Sequence, residues 1–221
     1  MNTARFDIYK DVHKGIRKAL FDLTALAGSA EFNNKDSLKR LVDTFGLTYN
    51  LLETHAHSED SYVEPLVKEC NADTAVKLAD AHQRLEKDIS TLLARVEGLD
   101  AQQEDATEQG RSLYLDLSRF VGEYLQHIAD EEQIVSPLLW EHFDDQKLME
   151  VSATIRANLP PPVMGNFLSL MIPAMNHNER VIMFSGMKQA APPEVFDGVC
   201  KLGQNVLAAA DWERLDNTIN S

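Results

Sequence analysis

Positive charge is scarce in this chain. Lysine and arginine number 21 against 35 aspartates and glutamates, a formal net charge of -14 over 221 residues. Nucleic acid and anionic membranes repel such a surface, and no basic patch with interleaved aromatics interrupts it. Neither is expected as a partner. Cysteine is almost absent: Cys70 and Cys200 stand far apart, and no CxxC occurs. Two free thiols in a reducing cytoplasm is the expectation. Long apolar runs are missing too. Stretches such as "FLSLMIPAM" fall well short of the roughly 20 residues of a membrane span. The opening "MNTARFDIYKDVHKGIRK" is charged throughout and has no apolar core. A secretory signal is therefore not expected, and the reading is cytoplasmic. Strand signals are few.

Helical periodicity is plentiful, and 44% of the residues are hydrophobic, enough for a sizeable core. Phe6, Tyr9, His13, Ile16, Leu20, Leu23 and Ala27 step alternately by three and four. "AGSAEFNNKDS" reads as a loop, with Asp36 or Ser37 capping the next helix. That helix carries Leu38, Leu41, Phe45, Thr48, Leu52, His55, Glu59, Tyr62 and Leu66 in the same rhythm, and Pro65 should bend or end it. Asp73 is expected to cap a third helix with Ala75, Leu78, His82, Leu85, Ile89, Leu92, Val96 and Leu99 on its seam. A fourth presents Leu113, Leu117, Phe120, Tyr124, His127, Glu131, Ile134 and Leu138. The pattern predicts an all-α fold, an antiparallel four-helix bundle over residues 1–142. Residues 143–221 predict a C-terminal helical subdomain packed on the bundle. Its helices are expected near 145–157, 162–175, 177–189, 193–209 and 211–219, between proline-rich breaks.

Six polar residues occupy core positions: His13, His55, Glu59, His82, His127 and Glu131. A single histidine on an apolar face ordinarily makes one buried hydrogen bond. Six such groups on four inner faces need a common partner. An unpaired buried polar group costs about 1–3 kcal/mol, and a carboxylate more. A divalent metal satisfies them jointly. His55 and Glu59 lie one turn apart on one face, as do His127 and Glu131. Each pair spans about 6 Å. Counted from the expected helix ends, all four histidines fall in one layer. Six N/O donors with two carboxylates suit a pair of ions, and imidazole with carboxylate favours iron, manganese or zinc over calcium. Ferritin-like centres use Glu-x-x-His; here the order is reversed and the spacing is four.

The pattern resembles the hemerythrin-like (HHE cation-binding) family. "DVHKGIR", "HAHSEDSYVEP", "DAHQRLEKD" and "HIADEEQIVSP" carry the resemblance, which covers residues 1 to about 142. Both HxxxE motifs are followed by a proline, Pro65 and Pro137, as in that family. The resemblance implies a non-haem di-iron centre, carboxylate- and oxo- or hydroxo-bridged. It would be held by His13, His55, Glu59, His82, His127 and Glu131 and meet oxygen, nitric oxide or peroxide. The oxygen carriers of the family place HxxxH on the third helix; here Glu86 follows His82 by four. They also place an aspartate five residues beyond the fourth-helix histidine, where this chain has Glu132. The set resembles the four-histidine, two-glutamate bacterial type. Some of those proteins repair iron centres and carry an N-terminal cysteine-bearing segment. No cysteine precedes His13 here, which counts against that role.

The expected function is to bind or sense oxygen or nitric oxide, or to protect against them. One alternative is a di-iron enzyme acting on peroxide or oxygen, or repairing iron centres. Another is a structural helical protein with a metal staple. His57 and His142 read as solvated or helix-end residues, and His177 as structural. Glu86 reads as a surface residue beside His82. Tyr62 and Tyr124 read as core residues with a polar tip one layer from the site. Met164, Met171, Met175, Met183 and Met187 read as plastic packing.

Overall fold

The long helices follow the seams. In the computed structural model, which describes residues 5–221, α1 is Lys10–Ser29, α2 Lys35–Tyr62, α4 Ala72–Glu97 and α5 Ala106–Asp130. Ile16, Leu20, Leu23 and Ala27 of α1 are buried, as are Leu38, Leu41, Phe45 and Leu52 of α2. α2 packs on α4 and α4 on α5. The fold is an all-α helical bundle, and no strand occurs among the described residues. None of the described helices is long and apolar enough to cross a membrane.

Each proline after an HxxxE motif interrupts its helix. A proline has no N–H to give to the preceding turn. α2 ends at Tyr62, and the short α3 (Glu64–Cys70) starts anew with Pro65 in its first turn. α5 ends at Asp130, passes through a π-turn, Glu131–Val135, and restarts as α6 (Ser136–His142), with Pro137 in its first turn. The Ser136 N–H donates to the Glu131 carbonyl, five residues back. A π-turn adds one residue to the winding. The seam shifts accordingly. Ile134, expected inside, is 54% exposed, while Val135 and Leu139 are buried in place of Ile134 and Leu138.

Two caps differ from expectation. Asn34, not Asp36 or Ser37, caps α2, its Oδ1 accepting from the Asp36 and Ser37 N–H groups at 3.0 and 3.1 Å. Asn71, not Asp73, caps α4 by accepting from the Thr74 N–H at 3.0 Å. In both cases the extended residue comes two or three positions earlier, where an amide reaches back over the first turn.

Contacts divide the chain into two units. One comprises the residues up to Lys10 and Ala19–Asn158; the other comprises Asp11–Lys18 and Leu159–Ser221. The first includes α7 (Asp145–Asn158), whose Leu148 is buried with Tyr9, Val63, Leu66, Val67, Ala75, Val135 and Leu139. Trp140 Nε1 donates to the Phe6 carbonyl at 2.8 Å, holding the segment that carries Tyr9 on α6. The second unit contains α8 (Pro161–Ala174), α9 (His177–Ala190), α10 (Pro193–Val206) and α11 (Ala209–Asn220). Its core gathers Leu168, Ile172, Phe184, Val199, Leu207 and Leu215. Asn176 and Glu179 form a reciprocal cap on α9, and Glu179 also pairs with Lys14 Nζ at 2.5 Å.

Candidate metal centre

All six polar seam residues are buried. His13 is fully enclosed, Glu131 is 1% exposed, and His55, Glu59, His82 and His127 are each 5% exposed. His55 and Glu59 share one face of α2, and His82 sits on α4. His127 is in the last turn of α5, and Glu131 opens the π-turn. His13 is carried by α1, an unbroken helix whose length from Ala19 onward belongs to the first unit.

The two HxxxE pairs close on themselves and on His82. His55 Nε2 lies 3.2 Å from Glu59 Oε1, and His127 Nε2 lies 3.1 Å from Glu131 Oε1. His82 Nε2 faces both acids, at 3.3 Å from Glu59 Oε2 and 3.4 Å from Glu131 Oε1. The His82 and His127 rings meet edge-on, with centroids 4.8 Å apart at 83°. Ligand atoms from His13, His55, Glu59 and Glu131 all lie within 4.8 Å of one another. So do those from Glu59, His82, His127 and Glu131. The two groups share both glutamates.

The electrostatics ask for cations. Two buried carboxylates, Glu59 and Glu131, face each other and the four imidazoles across the site. Burial by itself pushes the His82 pKa down. Hydrogen bonds to Glu131 and Glu59, and their charges, outweigh it and hold the pKa up to about 11. One proton thus performs, between two acids, the neutralisation that a divalent ion performs more fully. Four imidazoles and two carboxylates are a donor set for a borderline transition metal rather than for calcium. The residues fit such a group.

Two tyrosines of the seams, and one acid off them, lie around the site. Tyr9 is buried just before α1, and Tyr124 is buried with its ring 5.8 Å from His127. Burial, and then the charges of Glu59 and Glu131, hold both phenols well above their usual range, so each keeps its proton. Tyr9 was legible only as a seam position. Its kinship with the site depends on the fold of the segment before α1. Asp60 Oδ1 lies 2.5 Å from His82 Nδ1, a contact that needs α2 beside α4 to be seen. Beside His82 and Tyr124 opens a cavity of ≈ 290 Å³, with Ala56 and Leu85 on its walls and Glu53 and Glu86 among its polar lining.

The other candidates fall outside. His57 is exposed. His142 is exposed, and its Nδ1 bonds the Leu138 carbonyl at 2.9 Å, one turn back near the helix end. His177 is half-buried in α9 and belongs to neither group. Glu86 is exposed at the cavity, Tyr62 is half-buried, and Glu132 is not in either group, whereas Glu131 is in both.

The chain thus presents two buried, overlapping His/Glu groups, each with the makings of a metal site. No curated protein matches the chain. No solved structure matches it either. A family model, described as the hemerythrin HHE cation-binding domain, matches residues 5–139. That is more than half the chain and takes in all six buried histidines and glutamates; the protein belongs to the hemerythrin HHE cation-binding family and is a metal-binding protein.

Proposed function

We propose that the protein holds two iron ions through His13, His55, Glu59, His82, His127 and Glu131, as the four-histidine, two-glutamate type, and through them binds or senses oxygen or nitric oxide, or protects against them. The observation that carries this is the sharing of Glu59 and Glu131 between the two donor groups. A carboxylate has two oxygens and can serve two ions at once, whereas an imidazole nitrogen serves one. A pair of irons, when bound, supplies open coordination positions and a change of oxidation state. The chain's own residues orient the donors, exclude bulk water by burial, and keep protons on Tyr9 and Tyr124.

The cavity beside His82 and Tyr124 favours an exchangeable small molecule, diatomic or peroxide, over an inert staple. It is the one feature that also supports the enzymatic alternative, turnover of peroxide or oxygen. Cys70 and Cys200 are free thiols, in keeping with a reducing cytoplasm. Manganese or zinc would suit the same donors.

The test is metal analysis of the full chain purified without added metal, with optical spectra before and after oxygen and nitric oxide. Two irons per chain and a spectrum that changes reversibly with either gas support the proposal. Consumption of added peroxide over many cycles supports the enzyme instead. One tightly held zinc and a spectrum indifferent to all three would overturn it.

A further inference from the structure

Asp60 follows Glu59 on α2, a step of about 100° around the helix. Glu59 therefore points into the bundle while Asp60 looks across at α4. Its side chain is 39% exposed, yet its Oδ1 reaches a histidine that is only 6% exposed, at 2.5 Å. A carboxylate oxygen accepts, so His82 Nδ1 carries the proton. Nε2 is then the nitrogen directed at Glu59 and Glu131, 3.3 and 3.4 Å away.

Packing by itself does not fix that choice. An imidazole turned over about its Cβ–Cγ bond has nearly the same outline, and the edge-on contact with His127 would survive the turn. What separates the two orientations is hydrogen bonding. One places an Nδ1–H donor against Asp60 and turns Nε2, whose proton a metal would replace, toward Glu59 and Glu131; the other does not.

We propose that Asp60 is a positioning residue of the metal centre. Its carboxylate holds His82 in the Nδ1–H tautomer, aims Nε2 at the site, and by its charge makes that nitrogen a stronger donor. Carboxylates on the far side of ligating histidines commonly act in this way. The proposal rests on the reading of His82 as a ligand, and the experiment separates the two.

Cobalt(II) is titrated into metal-free full-length protein against a competing chelator, for the wild type, Asp60→Ala, Asp60→Asn and His82→Ala. Three readings are taken for each: ions bound per chain, affinity, and the positions of the cobalt ligand-field bands. Asp60→Ala is expected to weaken uptake about 10–100-fold at one of the sites, with shifted bands. Asp60→Asn keeps an oxygen acceptor of the same shape and loses the charge; its affinity is expected to fall between, with bands also displaced. Should Asp60→Ala fail to fold, the isosteric asparagine carries the test. Wild-type affinity and unmoved bands in the folded variants would overturn the proposal, even if their metal-free melting points drop. Cobalt uptake by His82→Ala equal to that of the wild type, or none by the wild type itself, would instead remove the ligand reading, and the role of Asp60 with it.

Discussion

The bundle and the helices α8–α11 bury charge in opposite ways. In the C-terminal core the buried charge is Arg180, 8% exposed. Nε donates to the Ile172 carbonyl at 2.8 Å and Nη2 to the Pro173 carbonyl at 3.2 Å, and the carboxylate of Asp211 in α11 lies 3.9 Å from Nη1. Those carbonyls end α8, where a helix leaves acceptors over and favours a cation. A cation there meets carbonyls and an acid of its own helical unit. In the bundle the buried charges are acids, they come from different helices, and they face each other and a ring of imidazoles. Buried charge satisfied locally is architecture; buried charge gathered from across a core asks for something from outside.

The largest expected effect comes from dismantling the gathered kind. Glu131 belongs to both donor groups, so Glu131→Ala strips a donor from each and leaves the histidines facing a void. The expected outcome is loss of at least half the bound metal, together with about 3–5 kcal/mol of stability, the range for breaking a buried charged network from one side. Metal content per chain and thermal unfolding, measured on the same preparation, check this. Full metal content would break the comparison at its root.

Arg180→Met should cost less. It keeps an apolar stem in the core and removes the charged donors, about 1.5–3 kcal/mol for hydrogen bonds to a charged group. Metal content should not change. A variant that melts early with its full complement of metal sharpens the contrast; one that loses metal in step with stability erases it.

Close packing provides a milder version in each region. A Cβ at Gly110 would come within 2.1 Å of Phe32 Cγ, and one at Gly203 within 2.5 Å of Trp212 Cζ3. Neither aromatic can retreat without disturbing a core, so Gly110→Ala and Gly203→Ala should each cost about 1–3 kcal/mol. Unfolding in denaturant, followed by tryptophan fluorescence, measures both. Trp212 lies against Phe184 at 5.9 Å, so Gly203→Ala should also alter the native emission, while Gly110→Ala should leave that signal alone.

The same contrast governs what could be read from the residues alone. The buried histidines and glutamates of the bundle stood out because six polar groups kept the three-and-four rhythm of an apolar seam. The C-terminal helices α7 to α11 were legible from their proline breaks to within a few residues. What escaped depends on three-dimensional neighbours. The π-turn is one residue of extra winding beyond Glu131, and it moved Ile134 out and Val135 in. No composition signal marks a π-turn, though the proline at 137 required some break. Asp60 reaches His82 through a contact between segments distant in sequence. Seam periodicity reports only which face of a helix is inward.

The caps show the limit at its smallest. "CNADT" offers Asn71 and Asp73 as rivals, and both are good cap residues. The backbone decides. Asn71 is extended (φ -156°, ψ 104°), and its amide oxygen accepts from Thr74, whereas Asp73 already lies inside the first turn of α4. Asn71→Ala should therefore cost about 1 kcal/mol, the usual value of a lost cap. Asp73→Ala should lose only its interaction with the helix dipole, about 0.3–1 kcal/mol and reduced by salt. Thermal melts of the two variants at low and high ionic strength check this. The asparagine variant should keep its deficit in salt, and the aspartate variant should recover. Because α4 carries His82 three turns farther along and the cap sits at its exposed end, neither change should alter metal content. A cap that mattered to the metal would mean that the helix start, and not the seam, sets the depth of the donor.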